Sequence, residues 1–159
     1  QGGTKVGINR PPMPGGPGGR PRNTSGGRSN LDNSAVRDAL QNVRQLLDKD
    51  QDPHGELLIQ TAEAMGRHLA NNRMTTAQIR KLFSEVRKLN FKDDGPYKTN
   101  MMRAKLAYTA GRHQREVGDL QQVLDKALIE VGTSEEKFNR FENFFEAIVA
   151  YHKKYGGKD

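Results

Sequence analysis

The chain has 159 residues, which is the length of one domain or of one domain with a tail. It carries 26 Lys and Arg against 19 Asp and Glu, for a formal charge of +7. It contains no cysteine, which excludes disulfides, thiolate zinc sites and a thiol nucleophile. There is no apolar stretch long enough to cross a bilayer and no apolar segment typical of a signal peptide at the N-terminus, so we expect a soluble cytoplasmic protein that does not bind membranes.

The first thirty residues differ in composition from the rest. Residues 1–30 consist mainly of Gly, Pro, Arg, Ser and Asn, with five basic side chains and no acidic one. Such a segment has too few apolar side chains to offset the entropy of ordering it. We predict a disordered basic arm over 1–30, followed by a helical domain over 31–159. The arm is either an arginine-glycine segment that contacts RNA or a solubilising extension.

Apolar residues after Asn30 recur at intervals of three and four, and no strand pattern competes with them. The fold class predicted is therefore all-α, a compact bundle of about five to six helices. In chain order we expect helices over about 34–48, 55–71, 75–89, 101–117, 119–131 and 134–155. The segment DKDQDPHG is the predicted break after the first helix, KDDGPYKT is a predicted loop, and Gly118 is the expected end of the fourth helix.

Capping residues and one aromatic stripe support the predicted bounds of the third, fifth and sixth helices. Thr75 or Thr76 is suited to cap the third helix, and Gly132 followed by Thr133 is suited to end the fifth and begin the sixth. The sixth helix carries phenylalanines at 138, 141 and 145, which we assign to the core. Gly156 can close this helix beyond two lysines, whereas Gly157 has no evident capping role.

Basic residues are concentrated in the middle of the chain. From Arg67 to Arg115 there are twelve Lys or Arg against three acids, so ion pairs within helices cannot neutralise most of them. On the third helix Arg80 and Arg87 are seven residues apart, as are Lys81 and Lys88, which places each pair on one side of the helix. Spaced cations of this kind favour an anionic polymer as the partner.

Other chemistry is sparsely represented. The sequence has no HExxH, P-loop, GxSxG or acidic metal-binding spacing, so we expect neither a metal nor a cofactor. A metal-independent histidine ribonuclease would use His113 and His152 as its base and acid. A helix-turn-helix beginning at TTAQIRKL is disfavoured, because that motif needs a turn of three or four residues and FKDDGPYKT is longer.

Three segments, TTAQIRKLF, MRAKLAYTAGR and FEAIVAYHKKYGGKD, resemble the small helical subunit of the type III-A CRISPR interference complex, the Csm complex. The resemblance covers roughly residues 34–159. It implies a non-catalytic subunit of an antiviral ribonucleoprotein that repeats along a filament beside guide RNA paired to target RNA. The implied partners are these RNAs, the backbone and large subunits of the complex, and neighbouring copies of the chain; other subunits would cut. Base pairing would read sequence, and this subunit would contact the RNA backbone.

The resemblance also implies site residues. Arg80 in QIR and Arg112 in AGR are the leading candidates for RNA contacts, and the supporting basic positions are Lys81, Arg87, Lys88, Arg103, Lys105 and Arg115. The C-terminal segment is implied to dock on neighbouring subunits through Tyr151, His152, Lys153, Tyr155, Gly156 and Gly157. Besides the histidine ribonuclease, a basic assembly adaptor for an acidic protein remains an alternative.

Overall fold

A computed structural model describes residues 33–158, and within that range it contains six α-helices and no β-strand. The helices are α1 Ser34–Leu46, α2 Glu56–Asn71, α3 Thr76–Arg87, α4 Gly95–Arg112, α5 Gln114–Val131 and α6 Glu135–Lys154. The predicted all-α bundle is confirmed for these residues. The predicted arm over 1–30 lies outside the described residues.

The centre of the bundle is the aromatic side of α6. Phe138, Phe141 and Phe145 are almost wholly buried, as the sequence predicted. Phe83 of α3 lies 5.1 Å from Phe145, and Phe91, in the connection after α3, stacks on Phe138 at 5.2 Å between ring centroids. Burying one such ring stabilises the fold by about 1.5–3 kcal/mol, so these contacts attach α3 and its following connection to α6.

Gly66 lies where α2 and α6 cross at very close range. A Cβ at this position would lie 2.6 Å from the Cβ of Tyr151 and 2.7 Å from the backbone nitrogen of His152. These distances are well inside van der Waals contact, so only glycine lets the two helices approach this far. Among the helix pairs of the described chain, α2 and α6 have the most extensive contact.

A largely buried ion pair between Arg140 and Asp52, at 3.4 Å, fixes the connection between α1 and α2. The Asp52 carboxylate accepts hydrogen bonds from the backbone N–H groups of Leu57 and Leu58, which satisfies donors in the first turn of α2. Arg140 of α6 donates to the carbonyl oxygens of Leu46 and Asp52 at 2.9 and 2.8 Å. The predicted break at DKDQDPHG is therefore correct, and Asp52 and Arg140 secure it to α6.

The boundary between α4 and α5 was predicted wrongly. α4 ends at Arg112 and α5 begins at Gln114, so His113 alone separates them, with φ −135° and ψ 49°. Gly118 lies inside α5, and α4 already begins at Gly95, within the segment predicted as a loop. Arg103 of α4 pairs with Asp125 of α5, which shows that the two helices form an antiparallel hairpin.

The caps were predicted more accurately. The Thr75 hydroxyl accepts from the Gln78 amide while the Gln78 side chain accepts from the Thr75 amide, a reciprocal capping box at the start of α3. Gly132 ends α5 at positive φ as expected. The cap of α6 is Ser134, which accepts from Lys137 N–H, rather than the predicted Thr133.

Replacing Gly66 with alanine should destabilise the protein by about 1–3 kcal/mol, because the added methyl forces α2 and α6 apart. Gly111 is the matched control, since a Cβ there meets nothing within 4 Å. Gly111→Ala should stabilise α4 by about 0.5–1 kcal/mol through helix propensity. Urea unfolding followed by far-ultraviolet circular dichroism measures both, and a stabilising Gly66→Ala would contradict the close crossing.

Candidate nucleic-acid interface

The predicted RNA-binding side chains are mostly on the surface. Seven of the eight are exposed: Arg80, Lys81, Arg87, Lys88, Lys105, Arg112 and Arg115. The exception is Arg103, which is half-buried and donates from Nε to Asp125 at 2.8 Å. Arg103 therefore stabilises the α4–α5 hairpin, and its charge is already compensated.

Three of these cations border an open groove between α3 and α6. The groove has a volume of about 620 Å³, and its α3 side is formed by Arg80, Phe83, Ser84, Arg87 and Lys88. The α6 side is formed by Glu146, Val149 and Ala150. Because positions 80, 84 and 87 recur at helical spacing, Arg80 and Arg87 lie two turns apart on the side of α3 that borders the groove. We call this the α3 groove.

The charges around the α3 groove are only partly balanced. Lys88 pairs with Glu85 at 3.2 Å, an exposed pair one turn apart. Burial raises the pKa of the nearby Glu142 carboxyl above its ordinary value, whereas the charge of Arg87 lowers it. Within the described residues, Arg80 and Lys81 have no carboxylate at salt-bridge distance. An anionic ligand can therefore approach them without displacing an internal partner.

A second basic surface lies on the outer side of α4, which contains no acidic residue. Lys105 and Arg112 are exposed on this side, and the Arg112 guanidinium lies 6.0 Å from the ring centroid of Tyr108. Tyr97 belongs to the same side of the helix. Tyr97 was not among the predicted site residues because the segment KDDGPYKT was predicted to be a loop, whereas its GPYKT part forms the start of α4.

The two basic surfaces belong to helices whose main packing partners are different. α3 packs chiefly on α6, whereas α4 packs chiefly on α5. Arg67, at the start of the basic block, instead lies over the ring of Tyr155 at 4.6 Å. The basic residues between Arg67 and Arg115 therefore include one group on α3, one group on α4, and residues such as Arg67 and Arg103 that contact other side chains of the bundle.

Two of the predicted docking residues face the interior of this chain. The side chain of His152 is fully buried, with Nε2 2.6 Å from the carbonyl oxygen of Met74. Gly157 is buried beside it, and a Cβ at Gly157 would clash with the His152 ring. Both residues are therefore packed against other parts of this chain, and their role in docking stays a prediction. Gly157 is needed for this close approach and is not dispensable.

The other docking candidates are more accessible but partly engaged. Tyr151 and Tyr155 are half-buried, and Lys153 and Gly156 are exposed. The Tyr155 hydroxyl donates to Glu63 of α2 at 2.5 Å. Gly156 adopts φ 93°, the left-handed conformation expected at the end of α6. The C-terminal segment thus packs on α2 before it reaches solvent.

The residues after α6 also cap α3. The Thr76 amide donates to the carbonyl oxygen of Lys158 at 2.7 Å, and the Thr76 hydroxyl donates to the carbonyl oxygen of Gly157 at 3.2 Å. Amides in the first turn of a helix have no partner within that helix. The tail therefore supplies the acceptor that the N-terminus of α3 needs and fixes α3 relative to α6.

The histidines do not form a catalytic pair in the described structure. His68 is buried and bonded to Asp119 at 2.7 Å, and His113 is exposed at the α4–α5 boundary. His152 is enclosed by Gly157, as described above. No cluster of three His, Cys, Asp or Glu side chains suited to a metal occurs within residues 33–158. No helix in this range is both long and apolar enough to span a bilayer.

Comparison with known proteins identifies the family. A sequence model of the Csm2 type III-A family matches residues 52–158, which is more than half of the chain. This chain belongs to the Csm2 type III-A family. It is also 36% identical over 97 residues to the CRISPR system protein Csm2 of Streptococcus thermophilus, an alignment that covers 56% of this chain and 78% of that protein. The predicted identity as the small helical subunit of a type III-A CRISPR complex is confirmed.

The family match covers a shorter part of the chain than the resemblance seen in the sequence. The match begins at residue 52, so α1 lies outside it, although the sequence resemblance was traced from residue 34. α1 nonetheless packs on α2 and α5 as part of the same bundle. No solved structure gives a significant match to this chain.

Removing residues 156–159 should destabilise the protein by about 2 kcal/mol, because two hydrogen bonds to Thr76 are lost at about 1 kcal/mol each. Urea unfolding measures the loss, and hydrogen exchange should show faster opening of α3 amides. Lys158→Ala is the matched control: it keeps the backbone carbonyl and should change stability by less than about 0.5 kcal/mol. Equal destabilisation by the two variants would contradict capping by the backbone.

Proposed function

We propose that this Csm2-family chain is a non-catalytic subunit that binds the sugar-phosphate backbone of guide RNA paired to target RNA. The proposed complex acts in cytoplasmic antiviral defence, and its other members are the backbone and large subunits and further copies of this chain. The observation that carries the proposal is the α3 groove, where Arg80 and Arg87 lie two turns apart and Arg80 has no internal carboxylate partner.

The spacing of these cations suits a repeating anion. Arg80 and Arg87 are separated by about 10 Å along the helix axis at 1.5 Å per residue. Each contact with a phosphate is weak, but several together release counterions and give binding that falls steeply with salt. Such contacts depend on phosphate positions and duplex shape, so they place the protein on RNA without selecting a sequence. The guide supplies sequence recognition by base pairing.

The assignment of cutting to other subunits agrees with the position of His152. A general base or acid must reach the reacting group, and the His152 imidazole is fully buried against Met74 and Gly157. This placement disfavours the ribonuclease alternative that pairs His152 with His113. The adaptor alternative names an acidic protein as the partner. It therefore predicts that the chain does not bind RNA at physiological salt.

Replacing Arg80 and Arg87 together with glutamine should weaken binding to paired RNA and lower the salt dependence, because both border the α3 groove. Two lost phosphate contacts reduce the slope of log affinity against log salt by about 1.4–1.8. Fluorescence anisotropy with two RNA duplexes of about 20 base pairs and unrelated sequence measures this. We expect the duplexes to bind alike and to be recovered uncut.

The control is Arg37→Gln with Arg44→Gln, which removes two exposed cations from α1 and leaves the net charge the same as in the test variant. This control should keep the wild-type salt slope. If both double variants lose affinity equally, the protein responds to total charge and the proposed interface is incorrect. Absence of RNA binding by the unmodified chain at physiological salt would favour the adaptor.

A further inference from the structure

The outer side of α4 exposes large side chains that the bundle does not use. Tyr97, Met101 and Tyr108 are 62%, 46% and 69% exposed. A contiguous row of exposed aromatic and apolar side chains indicates a surface that binds another molecule. Such side chains gain free energy when they leave water, and here the core of this chain does not bury them. No other described helix exposes more than one large hydrophobic side chain.

These residues share one side of α4 with two cations. Counted at 100° per residue, positions 97, 101, 105, 108 and 112 fall within an arc of about 80°. The buried side of α4 is formed by Thr99, Met102, Leu106 and Ala110, on the other side of the helix. Tyr97, Met101, Lys105, Tyr108 and Arg112 therefore form one stripe directed away from the core, which we call the α4 stripe.

The charge of the α4 stripe favours a nucleic acid over a protein partner. α4 has no Asp or Glu, and neither Lys105 nor Arg112 has a carboxylate at salt-bridge distance within the described residues. Lysine is depleted at the centres of protein interfaces, whereas Lys105 lies at the centre of this stripe. Aromatic rings alternating with cations are the arrangement with which proteins bind single-stranded nucleic acids.

The dimensions of the stripe fit a short strand. Tyr97 and Tyr108 are eleven residues apart, which is about 16 Å along the helix, so the stripe is long enough to contact several nucleotides of one strand. The Arg112 guanidinium lies near the Tyr108 ring, where a positive charge can contact a phosphate while the ring accepts a base.

We propose that the α4 stripe binds unpaired nucleotides of an RNA strand, with bases stacked on Tyr97 and Tyr108 and phosphates contacted by Lys105 and Arg112. This inference rests on the proposed RNA-binding function and extends it from the paired backbone to unpaired bases. It assigns different RNA forms to the two basic surfaces: the α3 groove contacts the duplex backbone, and the α4 stripe contacts strand segments outside the pairing.

The test compares a labelled 12-nucleotide RNA single strand with an abasic strand of the same phosphate number, both titrated with the full chain. Tyr97→Leu with Tyr108→Leu should weaken binding to the base-bearing strand by about fivefold to a hundredfold for each stacked base lost. Binding to the abasic strand should be unchanged, because the variant keeps every cation. Tyr97→Phe with Tyr108→Phe should retain affinity, since the rings remain.

Equal affinity of wild type and the leucine variant for the base-bearing strand would overturn the inference. So would an equal loss on both strands. Sedimentation of the RNA-free proteins tests whether a second copy of the chain binds the α4 stripe instead. Self-association that is lost in the leucine variant, with RNA binding unchanged, would assign the stripe to that second copy.

Duplex binding measured on the same preparations separates the two proposals. If duplex binding depends on Arg80 while the leucine variant binds single strands normally, only the α4 stripe assignment fails. If the unmodified chain binds neither duplex nor single-stranded RNA, the proposed function fails as well.

Discussion

The close crossing of α6 on α2 is the contact on which the remaining structure depends. Glycine at position 66 lets the α2 backbone reach that of α6 at Tyr151 and His152. This crossing places the aromatic side of α6 in the centre of the bundle. It also directs the residues after α6 to the start of α3, where they cap the Thr76 amide. α3 is thus held at its N-terminus by the tail and along its length by Phe83 against Phe145.

The position of α3 connects this packing to the proposed function. Because its apolar side is committed to α6, its cations lie along the open groove between the two helices, where Arg80, Arg87 and Lys88 are accessible. α4 is held differently, through its hairpin with α5 and the Arg103–Asp125 pair. The chain therefore presents two basic surfaces whose orientation is fixed by separate sets of contacts. The two surfaces differ in composition: the α3 groove is mainly cationic, and the α4 stripe adds exposed rings. This difference is why we propose a phosphate backbone as the ligand of the first and unpaired bases as the ligand of the second.

Much of the fold could be predicted because local signals agree with tertiary packing. The phenylalanine spacing in α6, the capping box at Thr75 and the glycine at 132 each indicate structure within a few residues. The α4–α5 boundary could not be predicted in this way, since His113 is neither glycine nor proline and the break depends on packing of the two helices. The C-terminal segment was assigned to docking from family resemblance. Its buried residues, His152 and Gly157, act on Met74 and Thr76, which are about eighty residues earlier, and periodicity carries no information about such distant contacts. The exposed cations of α3 were predictable from their seven-residue spacing, whereas their separation from those of α4 was not.

The most direct measurement of the central claim, that α6 fixes α3 with its cations toward RNA, is a residue-resolved titration. Amide resonances of the isotope-labelled full chain would be followed while guide–target duplex is added. The account predicts that the largest shifts fall on α3 between Arg80 and Lys88, with α1 unaffected. Shifts confined to α1, or to the C-terminal residues that cap α3, would contradict it.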